Sequence, residues 1–189
     1  MADVPTPSLS DVATLKALAH PLRLRILGSL RIDGPATATM LARALSTDTG
    51  QTSFHLRKLA EAALVEDATE LGKGRERWWR ASAGATHWDP VALLRDPESE
   101  SVLLGFEDAA LHVWADSLRH FIDTRREWSE EWINAASSAD YQIRLTPAGL
   151  TQLVGELHDA VERAELGSSA PASAELVTIQ VHAFPRRRR

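Results

Sequence analysis

No cysteine occurs among the 189 residues. Disulfides and thiolate metal sites are therefore excluded, and the expected setting is the cytoplasm. Long apolar runs are missing too. No stretch approaches the roughly 18 consecutive apolar residues of a membrane helix, so no membrane partner is expected. The N-terminus lacks a cationic start followed by an apolar core. Residues 1–10, with Pro5 and Pro7, read as a flexible arm rather than a secretory signal. There is no glycine-rich phosphate loop, no nucleophile elbow around a serine, and no internal repeat. With no thiol nucleophile either, the expectation is a protein that is not an enzyme and uses no cofactor.

What is present suits a globular chain: 44% hydrophobic and 25% charged residues, enough apolar material for a core. The net charge of −5 at first argues against a nucleic-acid partner. The charge is unevenly placed, however. Residues 1–85 carry 11 Lys/Arg against 9 Asp/Glu. Residues 86–185 carry 6 Arg, no Lys and 17 Asp/Glu, and Arg186, Arg187, Arg188 and Arg189 form a basic tail. That distribution fits an N-terminal half able to face phosphates and an acidic half kept away from them, although any solvated pair of helices can carry such acidity.

Apolar periodicity divides the first half into short helices. Residues 9–19 form one, with Leu15 and Leu18 inward and Ser8 or Ser10 as the cap. His20-Pro21 breaks the pattern, and Pro21 suits the first position of a second helix carrying Leu22, Ile26, Leu27 and Leu30. Asp33-Gly34-Pro35 ends it. Residues 36–45 form a third helix capped near Thr37, with Met40, Leu41 and Leu45 inward. After the polar turn 46–50 comes a fourth helix over residues 49–62. Phe54 or His55, with Leu56, Leu59 and Ala60, lies on its packed side. Two short helices around a tight polar turn are the helix-turn-helix pattern. Residues 64–69 and 75–81 then read as strands around Gly72-Lys73-Gly74, a hairpin in the position of a wing over residues 72–80.

The second half reads as a connector, 82–97, and a long helix, 98–136. Leu104, Leu111, Trp114, Leu118, Phe121, Trp128 and Trp132 follow heptad-like steps along that helix. Residues 141–145 read as a short strand. Thr146-Pro147 then starts a helix to residue 166, and 167–174 is a linker. Residues 176–184 alternate as a strand suited to pair with 141–145. The expected fold class is mainly α with small β elements. An N-terminal winged helix-turn-helix over residues 11–85 precedes a helical dimerisation and sensing region of α+β character over residues 86–185. The basic tail is 186–189.

Three strings carry a family likeness. Leu18-Ala19-His20-Pro21-Leu22-Arg23-Leu24-Arg25-Ile26-Leu27 resembles the opening signature of ArsR-type winged helix-turn-helix regulators. Ser53-Phe54-His55-Leu56-Arg57-Lys58-Leu59 is similar to their Ser-x-His-Leu-x-x-Leu recognition helix. Leu64-Val65-Glu66 followed by Gly72-Lys73-Gly74-Arg75-Glu76-Arg77-Trp78-Trp79 resembles their wing. The likeness covers residues 10–82. It implies a homodimeric transcriptional regulator, usually a repressor, that binds inverted repeats in double-stranded DNA. It further implies an effector, here an unknown small molecule, that changes DNA affinity. Two residues depart from the pattern: Ala63 stands where the family usually has glycine, and the thiolate metal motif is absent.

A recognition helix brings its early residues to base edges in the major groove. Gln51 and Thr52 are the expected base readers, with Ser53 beside them. The competing role at this position is helix capping, by Thr49 or Ser53. His55 is read as either a phosphate contact or a packed core histidine. Arg57 and Lys58 are placed for phosphates, a position that a solvated helix face also fills. Lys73, Arg75 and Arg77 alternate through the wing, and the period of two puts Arg75 and Arg77 on one face for phosphate or minor-groove contact. Charges that protect a hairpin edge are the alternative there. Trp78 and Trp79 are expected to anchor the hairpin. Two sensing arrangements are weighed. His112, Asp116 and His120 share a helix face near Asp123, as metal ligands or as a plain polar face. Phe121, Trp128, Trp132 and Tyr141 line a ligand pocket or plain core. The rival function is a winged helix used for protein–protein contact without sequence-specific DNA binding.

Overall fold

The computed structural model describes residues 12–71, 76–82, 90–166 and 174–187. The chain divides into two units, Met1–Arg125 and Arg126–Arg189.

In the first unit, α1 (Val12–Leu18) ends just before His20-Pro21. His20 caps α2 (Pro21–Ile32): its Nδ1 accepts from the Leu22 backbone N–H at 3.1 Å, and Pro21 occupies the first helical position, where its missing N–H costs nothing. Thr37 caps α3 (Ala38–Ala44) through its hydroxyl, which accepts from the Met40 N–H. Ala36 and Thr37 also form a two-residue strand, β1, which the sequence reading had assigned to the helix. Met40 points outward rather than into the core, because the buried face of this short helix is taken by Leu41 and Ala42.

Asp48 caps α4 (Thr49–Glu61). The hairpin follows as β2 (Val65–Asp67), shorter at both ends than the expected strand, and β3 (Trp78–Ala81), which ends at Ala81 as expected but starts later. The sheet order is β1-β3-β2, all antiparallel, with Ala36 opposite Trp79 and Glu66 opposite Arg80. Trp79 is buried and ties the sheet to the core, as expected of a hairpin anchor.

Both helices of the helix-turn-helix close in the same way. After α4, the Ala63 N–H reaches the Ala60 carbonyl and the Leu64 N–H the Leu59 carbonyl, at 3.0 and 2.9 Å. Ala63 has φ of 55°, in the left-handed region. After α3, Ser46 and Thr47 bond back to Arg43 and Ala42, with Ser46 at φ 52°. These are Schellman closures with alanine and serine where glycine is the low-strain choice.

After α5 (Pro90–Leu93), α6 (Pro97–Thr124) completes the unit. Asp96 caps it through Ser99, and Glu98 and Glu100 sit in its first turn, where the helix dipole favours negative charge. α6 packs on α1 and α2 through Leu103, Phe106, Ala109 and Ala110. It therefore belongs to the core of the N-terminal unit, with Leu15, Leu18, Ile26, Leu27 and Leu30, and not to a separate C-terminal region. Each fully buried leucine contributes about 2–3 kcal/mol. Of the expected heptad seam, Leu104, Leu111 and Leu118 lie on the opposite, exposed side, joined by Ile122, while Trp114 packs partly on the core.

The expected 98–136 helix is interrupted. α6 stops at Thr124, and a 3-10 turn spans Arg125–Glu127. Ser129 then caps a new helix, α7 (Glu130–Ala135), its hydroxyl accepting from the Trp132 N–H. Within the second unit, Trp128 and Trp132 pack edge to face at 6.3 Å. α8 (Pro147–Leu166) starts as expected, the Thr146 hydroxyl accepting from the Gly149 N–H at 3.1 Å. Residues 141–145 and 176–184 form no strand, so the regular structure described in this unit is helical rather than α+β.

Candidate nucleic-acid interface

α4 buries one face and offers the other. Thr52, His55, Leu56 and Leu59, at three- and four-residue steps, point into the core. Gly50, Gln51, Phe54, Arg57 and Glu61 are exposed, with Lys58 and Ser53 at the margins.

Asp48 organises the leading edge. Its Oδ1 accepts from the Gln51 backbone N–H at 2.8 Å, and its Oδ2 from the Gln51 side-chain amide at 2.6 Å. The backbone bond from Gln51 is the main cause holding the Asp48 carboxyl below its ordinary range, with the side-chain bond adding to it. A Cβ on Gly50 would come 3.0 Å from this carboxylate, so glycine leaves the cap room to curl over the helix end. Thr49 and Ser53 were the capping alternatives in the sequence; the cap is instead the aspartate one residue before the helix, a residue type strongly preferred there.

Thr52 is not on the offered face. It is 0% exposed, and its hydroxyl donates to the Ala38 carbonyl at 2.8 Å, linking α4 to the start of α3. The expectation that Thr52 reads bases is corrected accordingly: it holds the two helices at their angle. His55 is likewise inside, 7% exposed, which resolves its two readings toward a packed histidine. Its ring lies 4.4 Å from that of His20, and its Nδ1 is buried with no hydrogen-bond partner among the described residues. Burial, chiefly, and then the charge of Arg23 lower the pKa of His20; burial, His20 and Arg23 lower that of His55.

Ser53, Arg57 and Arg77 meet at a cavity of about 350 Å³ between α4, the start of α3 and β3, which Thr39, Glu76 and Trp79 also line. Arg57 donates from Nε to the Ser53 carbonyl at 3.1 Å. Arg77 is held from two sides: its Nε bonds Asp67 at 2.6 Å, and its guanidinium lies 4.0 Å over the Trp79 ring. Lys58 pairs with Glu61 at 2.7 Å along the helix. Arg80, which the sequence reading did not single out, lies between Glu66 and Glu70, at 3.1 and 2.7 Å. Such exposed pairs contribute about 0–1 kcal/mol each, so they orient these cations at little cost to exchange. Lys73 and Arg75 lie outside the described residues.

The sensing arrangements fare differently. Among the described residues no group of three or more His, Asp or Glu side chains comes together to hold a metal, and His112 instead approaches the Asp108 carbonyl at 2.7 Å. Of the four aromatics, Phe121 belongs to the first unit. In the second, Tyr141 is 83% exposed, unlike the wall of an enclosed pocket.

Residues 18–68 match the family model of a helix-turn-helix domain, the span from the end of α1 through β2. No curated protein matches the chain in sequence. The match supports a DNA-binding regulator built on a helix-turn-helix. No helix among the described residues is long and apolar enough to cross a membrane.

Proposed function

We propose that the chain is a sequence-specific, homodimeric transcriptional regulator of ArsR type, acting in the cytoplasm as a repressor that an effector releases. α4 enters the major groove, and the wing lies on the flanking phosphates. The observation that carries this reading is the polarity of α4: one face is locked into the core by Thr52, His55, Leu56 and Leu59, and the other presents Gln51, Phe54 and Arg57 beside a groove shared with Arg77. Gln51 leads the base contacts, as glutamine suits the exposed edge of adenine. Arg57, Lys58 and Arg77, with Lys73 and Arg75 on the wing, take phosphates. Two such helices one DNA turn apart require a dimer.

The exposed stripe Leu104, Leu111, Leu118 and Ile122 on α6 supports the dimer. The stripe is centred on Leu111, with Leu104 and Leu118 seven residues to either side, a symmetric spacing that suits self-pairing of α6 in antiparallel sense. A two-fold axis near Leu111 then sets Leu104 of each copy against Leu118 of the other.

One observation favours a second reading, a winged helix that contacts protein: Lys58, Arg77 and Arg80 all sit on carboxylates. Titrating a fluorescent duplex from the promoter of the protein's own gene, at two salt concentrations, decides between them. Tight, sequence-dependent binding that weakens with salt is expected. Equal and weak affinity for every duplex overturns the regulator reading.

A further inference from the structure

Phe54 is the anomaly of α4. It is 49% exposed, on a helix whose buried positions are already filled by Thr52, His55, Leu56 and Leu59. Its ring contributes little to the core, and a polar residue would sit there as well in the free protein. It lies one helical turn from Gln51 on one side and from Arg57 and Lys58 on the other, at the centre of the offered face. The ring is also fixed in orientation. It stands edge-on to His55, with centroids 5.2 Å apart and planes at 78°, and His55 in turn is wedged against His20. A side chain braced this way loses little freedom on binding.

The major groove of unmodified DNA carries one apolar group, the C5-methyl of thymine, and phenylalanine is among the side chains suited to contact it. We propose that Phe54 is a specificity-determining residue that reads a thymine methyl in each half-site, next to the base pair contacted by Gln51. This rests on the DNA reading above and adds to it the identity of one base and the atom by which it is recognised.

The experiment selects duplexes from a random synthetic pool with the full chain, then replaces each thymine of the enriched duplex by deoxyuridine, one position at a time. Deoxyuridine keeps Watson–Crick pairing and removes only the methyl group. Wild-type affinity falls about fourfold at one position per half-site, the worth of one buried methyl-sized group. Phe54→Ala loses affinity for the thymine duplex and becomes indifferent to deoxyuridine at that position, while the free protein still unfolds cooperatively with only a small drop in its midpoint. Phe54→Leu keeps an apolar surface and part of the discrimination. An enriched duplex on which Phe54→Ala shows the same deoxyuridine penalties as wild type overturns this assignment alone. So does a uniform loss of affinity on both duplexes, since a merely structural ring produces that. If no duplex is enriched, the DNA reading falls, and this assignment with it.

Discussion

The imidazole rings of His20 and His55 lie 4.4 Å apart and tilted by 40°, joining the cap of α2 to the buried face of α4. His20 accepts the Leu22 N–H through Nδ1, so this nitrogen must stay unprotonated for the cap to hold. Burial and the nearby Arg23 hold both histidines below the ordinary imidazole value of 6.5. The unfolded chain therefore takes up protons before the folded one does. Stability is complete above the unfolded value and declines as pH falls through it toward the depressed folded values. Thermal unfolding followed between about pH 7.5 and pH 5 is expected to show a falling midpoint, with carboxylate titration contributing mainly at the lower end. His55→Leu removes one of the two titrating groups and flattens the slope. An identical slope in wild type and variant would contradict the role given to the pair.

Ala63 offers an opposite, stabilising change. It occupies the left-handed position of the closure after α4, where the family it resembles usually has glycine. An alanine there carries about 1–2 kcal/mol of backbone strain. Glycine relieves it but adds about 0.4–1 kcal/mol of unfolded-state entropy. Ala63→Gly is therefore expected to stabilise the fold by about 0.5–1 kcal/mol, read as a rise of a few degrees in melting temperature. The control is Ala60→Gly inside the same helix, which lowers it. A lower midpoint in Ala63→Gly would mean that alanine's methyl group contributes packing that outweighs the strain.

Thr52 and Gln51 are adjacent in sequence and opposite in consequence. Thr52→Val keeps the shape and removes the hydroxyl that donates to Ala38, at a cost of about 1 kcal/mol. Its melting temperature falls while its ranking of DNA sequences stays that of wild type. Gln51→Ala touches only an exposed bond to Asp48, so it leaves stability nearly unchanged and alters which duplexes bind best. Competition binding against a panel of duplexes, paired with thermal unfolding, checks both. The reverse pattern would place the register of α4 one residue away.

The N-terminal unit was legible because its signals are local. His20-Pro21 and the Thr37 cap each specify their own geometry. The burial of Thr52 was legible too, since Thr52, His55, Leu56 and Leu59 keep helical spacing. It was outweighed by the rule that early residues of a reading helix touch bases. α6 misled for a different reason. Its buried face combines Leu103 and Phe106 with Ala109 and Ala110. Small residues that allow close helix packing do not stand out in a count of large apolar ones. The heptad count followed Leu104, Leu111 and Leu118 instead, which is the exposed side. The break near residue 127 carries neither glycine nor proline; its mark is Ser129 followed by two glutamates, a helix start inside what looked like one helix. β1 is two residues long and defined only by its partner β3, so no local pattern marks it.

The exposed stripe of α6 gives the most direct test of assembly. Leu111 is 56% exposed, midway between Leu104 and Leu118, so its side chain adds little to the fold of one chain. In the antiparallel pairing proposed for α6, Leu111 sits nearest the two-fold axis and faces its own copy. An isologous contact repeats every substitution, so Leu111→Arg sets two like charges against each other where two leucines were buried. The expected result is a monomer by sedimentation at micromolar concentration, where wild type is a dimer. Each monomer keeps its helical content, because Leu103, Phe106 and Ala110 on the other side still pack on α1 and α2. DNA affinity falls with it, since two half-sites are no longer engaged at once. A Leu111→Arg protein that remains dimeric would move the interface to another surface, while a wild-type monomer would remove the dimer from the proposed function altogether.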